Sequence, residues 1–326
     1  EFTTLNIRFF HNSDTLWAEK GFEVGYLQFI LSDSAISIET NKNNAVSFDE
    51  NRTAITINCG DTTYTFDKIL GKVVSINNGK ELLSEPIGFN VNRSYHISND
   101  CKDQWKRARY EQVKQKTYSS EITEASDEKI VITTKTSFAA AAMPPAIRAD
   151  IVYTFTADGK LNISVKSVVT YNAPALPKFG IKLVMPEGFE NVTYLGYGPV
   201  ETYADRFISQ MISEYSTTAT DAYEHYIRPQ ECSSHYKTKT ASVKDADGNG
   251  LAFADTRAEG FCFKAIHYDD EQIHATRHDD ELTALRETIV SLDYKMHCDN
   301  LEYANLEPWR KFEEKEFAFS YDIIPE

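Results

Sequence analysis

The run Tyr194-Leu195-Gly196-Tyr197-Gly198-Pro199-Val200-Glu201-Thr202-Tyr203-Ala204-Asp205-Arg206 decides how this chain is read. Its opening residues are aromatic and aliphatic and suit a strand. Gly196 and Gly198 flank Tyr197, and Pro199 follows. Glycine permits positive φ, and proline fixes φ while lacking a donor, so the strand ends in a tight, rigid turn. Glu201, Asp205 and Arg206 then bring two carboxylates and a guanidinium close together. Arginine pairs bidentately with carboxylates. Two readings are open: a sugar-binding or catalytic acid pair, and an ion-pair network that pins a long loop. The network is the simpler reading, because charged clusters beside such turns are commonly structural.

Outward from this run, short alternating or β-branched stretches recur. They include 5–10, 26–31, 54–58, 129–137, 151–155, 161–170, 180–185, 250–254, 261–266 and 317–323. Turn signals separate them, among them Asn77-Asn78-Gly79, Asp158-Gly159 and Asp247-Gly248-Asn249-Gly250. This spacing marks an antiparallel sandwich or barrel, and Asp158-Gly159 between two strands marks a hairpin. Helical stretches are few. The segment 102–116 is charged, with Trp105, Ala108 and Val113 as its apolar positions, and 269–283 starts with Asp269-Asp270 and carries Ile273 and Leu282.

The length of 326 residues allows one very large β domain or two ordinary ones. The net charge of −15 argues against nucleic acid and anionic membranes as partners and is compatible with neutral sugars. No basic stretch followed by an apolar one opens the chain, and no apolar run is long enough to span a bilayer. The first residues, Glu1-Phe2-Thr3, lack an initiator Met, as in a cleaved product or an excised piece, so the compartment, cytoplasmic or periplasmic, stays open. Cys59, Cys101, Cys232, Cys262 and Cys298 are scattered and odd in number, which points to buried free thiols rather than disulfides or zinc. His274 and His278 would share a helical face, but no third spaced ligand accompanies them, so no metal is assigned.

The opening run, with Tyr226-Ile227-Arg228-Pro229-Gln230-Glu231, resembles the G-x-G-P-x-E-x-Y-x-D-R and Y-x-x-P-Q-E-N-G signatures of large bacterial β-galactosidases. Both belong to the C-terminal all-β domain of those enzymes, domain 5, which is also the small chain of their two-chain forms. The matching residues are Gly196, Gly198, Pro199, Glu201, Tyr203, Asp205, Arg206, Pro229, Gln230 and Glu231. Further pieces fit: Leu176-Pro177-Lys178-Phe179-Gly180 resembles L-P-R-x-G, and Phe89-Asn90-Val91-Asn92-Arg93 with Asn99-Asp100 resembles F-x-R-A-P-x-D-N-D, although 94–98 departs from it. The resemblance implies an all-β fold, a large antiparallel β-supersandwich of the galactose mutarotase-like kind, over 35–326. Residues 1–34 resemble the last strands of a preceding immunoglobulin-like domain. They are expected to be cut off from their sandwich and to dock on the main domain or pair with another copy.

In glycoside hydrolase family 2 the catalytic carboxylates, magnesium and sodium lie in a (β/α)8 barrel, and no strand–helix alternation of that kind is present here. The resemblance therefore implies no catalytic residue, metal or cofactor in this chain. Its partners would be the barrel, the other domains, β-galactoside sugars and, as a further option, its own copies. The family's domain lends an aromatic residue to the sugar pocket from a glycine-rich loop after an L-D-Y-like strand. Here that strand is 290–296, and the loop 297–309 has no glycine, leaving Trp309 or Tyr303 as the ring and Asn99 and Asp100 as polar lining. Two other readings stay open. One is a stand-alone carbohydrate-binding or assembly module. The other is an aldose 1-epimerase drawing an acid and a base from His225, His235 and Glu201.

Overall fold

The computed structural model describes residues 2–40, 45–95, 101–298 and 311–326. In chain order the first strands are β1 Phe2–Phe10, β2 Glu23–Asp33, β3 Val46–Glu50, β4 Ala54–Cys59, β5 Thr62–Asp67, β6 Lys72–Asn77 and β7 Gly88–Asn90. The short helix α1, Lys102–Ala108, precedes β8 Lys114–Ala125, β9 Lys129–Ala139, β10 Ile147–Thr156, β11 Leu161–Val169 and β12 Lys178–Met185. Then come β13 Asn191–Gly198, β14 Met211–Thr218, β15 His235–Thr238, β16 Thr240–Lys244, β17 Gly250–Asp255 and β18 Phe261–Ile266. Helix α2, Asp270–Ala275, leads to β19 Thr288–Met296 and β20 Glu316–Pro325.

The fold is the large antiparallel all-β sandwich that the sequence implies. A nine-stranded sheet runs β14-β13-β16-β17-β20-β11-β10-β9-β8, a five-stranded one β15-β18-β19-β12-β7, and a four-stranded one β3-β4-β5-β6. Alternation places Ile130, Ile132 and Phe138 of β9, and Ile151, Tyr153 and Phe155 of β10, on one buried face. Both smaller sheets cover that face. Tyr64 meets Phe155 at 5.1 Å and Phe66 meets Tyr153 at 5.1 Å on one side, and Phe179 meets Phe138 at 5.2 Å and Phe317 at 5.4 Å on the other. Such edge-to-face pairs suit aromatic quadrupoles.

Two predicted helices shrink. The segment 102–116 divides because Arg109 takes a left-handed conformation (φ 54) and ends α1. Tyr110–Gln112 adds one 3₁₀ turn, and Lys114 already begins an edge strand. In 269–283 only α2 is α-helical, with Asp269 capping it by accepting from the Glu271 N–H at 2.8 Å. His278 lies beyond it, ahead of a separate 3₁₀ turn, so His274 and His278 share no helix.

β1 and β2 form a ribbon, with Leu5 opposite Phe29 and Ile7 opposite Leu27. The side bearing Tyr26 and Gln28 rests on the rest of the chain. The Gln28 amide accepts from the Ile212 N–H at 2.8 Å and donates to the Ile212 carbonyl at 2.9 Å, so it pairs with the edge strand β14. Lys239 binds Asp33 at 2.7 Å. The opposite side, Leu5, Ile7, Phe9, Leu27 and Phe29, is exposed. At the other rim of the nine-stranded sheet, β8 is charged and carries register shifts at Thr117/Ser119 and Ile122/Glu124.

Candidate functional site

β13 ends at Gly198, and the Gly198–Pro199 bond is cis. A Cβ on Gly198 would overlap the Tyr194 hydroxyl and press on the Tyr215 ring, so glycine lets these two rings pack against the end of the strand. Glu201 follows and is committed three times: to Arg206 at 2.5 Å, to the Tyr226 hydroxyl, and to the Ser233 N–H at 2.6 Å. Burial pushes its carboxyl up, and Tyr226, Arg206 and the Ser233 amide offset part of that rise. Arg206 also lies over the Tyr203 ring at 4.7 Å. The pair is thus a knot that joins the Gly-Pro turn to residues 226–233. Asp205 stands apart from it beside Cys298, whose thiol is pushed up to about 12, first by burial and then by Asp205.

Glu231 belongs to a second and deeper cluster. It binds Lys264 of β18 at 2.9 Å, and Lys264 reaches Asp270 at 3.0 Å. Lys178 of β12 binds Asp270 at 2.5 Å and lies 3.6 Å from Asp293 of β19 and 3.7 Å from Glu231. Asn90 adds a 3.3 Å bond to Asp293. Both lysines, Glu231 and Asp293 are buried. Burial alone would lower the two ammonium groups, but the carboxylates, Asp270 foremost, outweigh it and raise both. Burial would likewise raise Asp270, yet Lys178 and Lys264 hold it well below its ordinary value. Asp293 goes the other way: burial pushes it up to about 6 against the pull of the same lysines. Gly180 makes this packing possible, because a Cβ there would overlap the Asp293 backbone at the β12–β19 bulge.

Three sequence motifs thus meet here: Pro229-Gln230-Glu231, Leu176-Pro177-Lys178-Phe179-Gly180 and the strand that holds Asp293. Pro229 is buried and Gln230 half-buried. Lys264 was not singled out from sequence, and Asp270 was read only as part of a helix start. The available signal was a lysine inside the apolar run of β18, which has to find a carboxylate once buried.

This cluster connects to residues that flank 96–100 and 299–310 in the sequence. The Glu231 N–H donates to the Ser94 carbonyl at 2.8 Å, and Arg93 donates to the His297 carbonyl. The Phe312 N–H donates to His297 Nδ1 at 3.0 Å, and the Cys101 sulfur lies 3.5 Å from His297 Nε2. Trp105 meets the His297 ring at 5.7 Å and Tyr95 at 5.5 Å. Residues 95, 101, 298 and 312 therefore stand together. Asn99, Asp100, Tyr303 and Trp309 lie outside the described residues. Next to Cys298 is a cleft of about 210 Å³, walled by Tyr203, Tyr236, Phe261, Cys262, Tyr294 and Met296, with Lys295 paired to Glu314 at its edge. The Tyr203 hydroxyl, on its wall, is buried and has no hydrogen-bond partner among the described residues.

The histidines do not converge. His235 is stacked on Tyr194 at 3.9 Å and lies 3.3 Å from the Tyr197 carbonyl, and burial lowers it to about 4. His225 pairs with Asp279 at 2.7 Å, and His267 with Glu190 at 2.5 Å. Neither His225, His235 nor Glu201 lines the cleft.

A family model described as beta galactosidase small chain matches residues 58–320. Among curated relatives, the β-galactosidase of Staphylococcus xylosus is 25% identical over 287 residues, covering 86% of this chain and 28% of that protein. The β-galactosidase of Actinobacillus pleuropneumoniae is 24% identical over 328 residues, covering 98% of this chain and 32% of that protein. The chain thus spans about a third of the length of these relatives. Among solved structures, a galactose 1-epimerase from Lactobacillus acidophilus superposes with a TM-score of 0.42 at 9% identity, covering 88% of this chain and 99% of that one.

Proposed function

Since the chain belongs to the β-galactosidase small-chain family, we propose that it is the C-terminal, non-catalytic part of a glycoside hydrolase family 2 β-galactosidase. In this reading it completes a sugar site whose acid/base and nucleophile reside in the missing barrel. Magnesium and sodium belong to that barrel as well. The observation that carries the reading is the gathering of residues 95, 101, 298 and 312 beside an aromatic cleft. Those four residues flank, in sequence, the stretches that carry Asn99, Asp100, Tyr303 and Trp309. Glu201 is held by three donors, which fits a structural role rather than a nucleophile.

The ribbon supports a larger body too. Its polar side is docked and its apolar side faces water, the reverse of what a finished domain shows. Strands of a preceding immunoglobulin-like domain would cover that side. The test is reconstitution. The purified chain should not hydrolyse a chromogenic β-galactoside, and adding the N-terminal remainder of the parent should restore turnover. Hydrolysis by the chain alone, above a control carrying Glu201→Gln and Glu231→Gln, would overturn the proposal.

A further inference from the structure

The outward face of the nine-stranded sheet holds a feature that neither the loops nor the ribbon uses. Alternation along β9, β10 and β11 turns Lys135, Arg148 and Lys166 to solvent. Asp150 sits between Lys135 and Lys166 in the pairing, and Arg148 stands opposite Ser137 and Val168. Neighbouring strands are about 4.8 Å apart, so these cations are spaced by one or two strand widths. Among the described residues none of the three forms an ion pair, although the chain carries a net charge of −15. They surround a shallow depression of about 490 Å³ that also holds Tyr118, Val168 and the one carboxylate of the group, Asp150. The Tyr118 ring is 54% exposed, and its hydroxyl is fixed 3.0 Å from Ser137 Oγ.

The depression does not stop there. Two residues beyond the Arg148–Val168 pair, just outside β10 and β11, the Thr170 N–H donates to the Ala146 carbonyl at 2.9 Å, and both residues line a second hollow of about 380 Å³. Tyr110, Met143, Pro144, Pro145 and Pro174 give it an apolar lining, and Arg107 stands over it. The two hollows thus follow one another along the β10–β11 pair, the first lined by Lys135, Arg148 and Lys166 and the second by prolines and Arg107.

The geometry points to a binding track for an extended acidic polysaccharide on the β8–β11 face. A chain of uronic acids presents apolar ring faces between regularly spaced carboxylates. Rings would rest on Tyr118 and on the proline-lined hollow, while carboxylates meet Arg148, Lys135, Lys166 and Arg107. A small anion would need a closed pocket, which this open face does not provide. A flexible acidic peptide has the charges but lacks the rigid apolar faces. This track is independent of the proposed role in β-galactoside hydrolysis.

Affinity gel electrophoresis of the whole chain tests it, with polygalacturonate, neutral galactan or poly-glutamate cast in the gel. Retardation is expected with polygalacturonate, weakening between low and high salt as exposed charge contacts are screened. The combined Lys135→Ala, Arg148→Ala and Lys166→Ala variant should bind at least tenfold more weakly, and Lys135→Gln alone, which alters no core packing, should give a smaller loss. Tyr118→Ala should weaken binding without changing its salt dependence. Equal retardation by poly-glutamate would replace the polysaccharide with a bare charge effect and overturn the assignment. Absence of retardation, or retardation that survives the triple variant, overturns the site. Reconstitution of β-galactosidase activity should be unchanged in the triple variant, so either idea can fail alone.

Discussion

Asp293 shares its buried surroundings with Lys178, Lys264, Glu231, Asp270 and the Cys262 thiol, and one of its oxygens has no donor among the described residues. Two lysines cannot neutralise three carboxylates, and an unbalanced buried charge is costly, so the cluster tends to keep a proton. Burial raises the Asp293 carboxyl to about 6, so it holds that proton below about that pH. The folded form binds it more tightly than the unfolded chain does. Its contribution to stability is therefore complete below about pH 4 and is lost as pH rises through about 6, at up to about 1.4 kcal/mol per pH unit. Asp293→Asn should abolish this loss. Urea midpoints at pH 4.5 and 7.5 should differ less in the variant than in the natural chain, and equal differences would refute the assignment. Lys264→Met should do the opposite of relieving strain. It strips Glu231 and Asp270 of one of the two cations they share, the one nearer to Glu231, and should cost about 3–5 kcal/mol in urea unfolding. The sequence displayed Glu201 and Arg206 as a local pair, because they lie close along the chain. It could not display Lys264 beside Glu231, because that contact depends on how a loop folds over a sheet.

At the level of elements, strands with clean alternation were legible. The stretches 54–58, 129–137 and 151–155 fall inside β4, β9 and β10, since period-2 patterning records burial on one face, while 261–266, which coincides with β18, was legible as a short apolar run and is buried throughout. The stretch 102–116 misled because charged Lys114 and Lys116 continue the polar character of α1. An edge strand with an outward charged face has the same composition as an exposed helix turn. The two strands read from 1–31 are present as β1 and β2 and rest on β14, one of the two expected outcomes, but the contacts that hold them, Gln28 on Ile212 and Lys239 on Asp33, join residues too far apart along the chain to be legible. Gln28→Ala removes both bonds to Ile212. Amide exchange in β1 and β2 should then rise at least tenfold while β9–β11 stay unchanged, and global stability should move by less than about 1 kcal/mol. Unchanged protection in the ribbon would mean that Lys239–Asp33 and the packing around Tyr26 suffice to hold it.

For the molecule as a whole, the sheet order was beyond the sequence. β20 lies between β17 and β11, so the last strand closes the middle of the largest sheet, a long-range pairing that no local pattern encodes. The apolar side of the ribbon has a direct consequence for the isolated chain. Leu5, Ile7, Phe9, Leu27 and Phe29 form one exposed hydrophobic surface, which favours self-association. Sedimentation velocity should show a concentration-dependent dimer that Leu27→Lys with Phe29→Lys converts to monomer. A monomer at all concentrations in the natural chain would contradict this. The two rims of the nine-stranded sheet carry a different message. An open sheet offers unpaired amides and carbonyls at both ends, where a foreign strand can template fibril growth. β8 resists that with lysines, glutamates and two bulges, while at β14 the Gln28 amide occupies the main-chain groups of Ile212 in place of a strand. A protease nick that released the ribbon would therefore do more than shorten the protein: it would uncover the main-chain groups of Ile212 and leave that rim open to pairing with another strand.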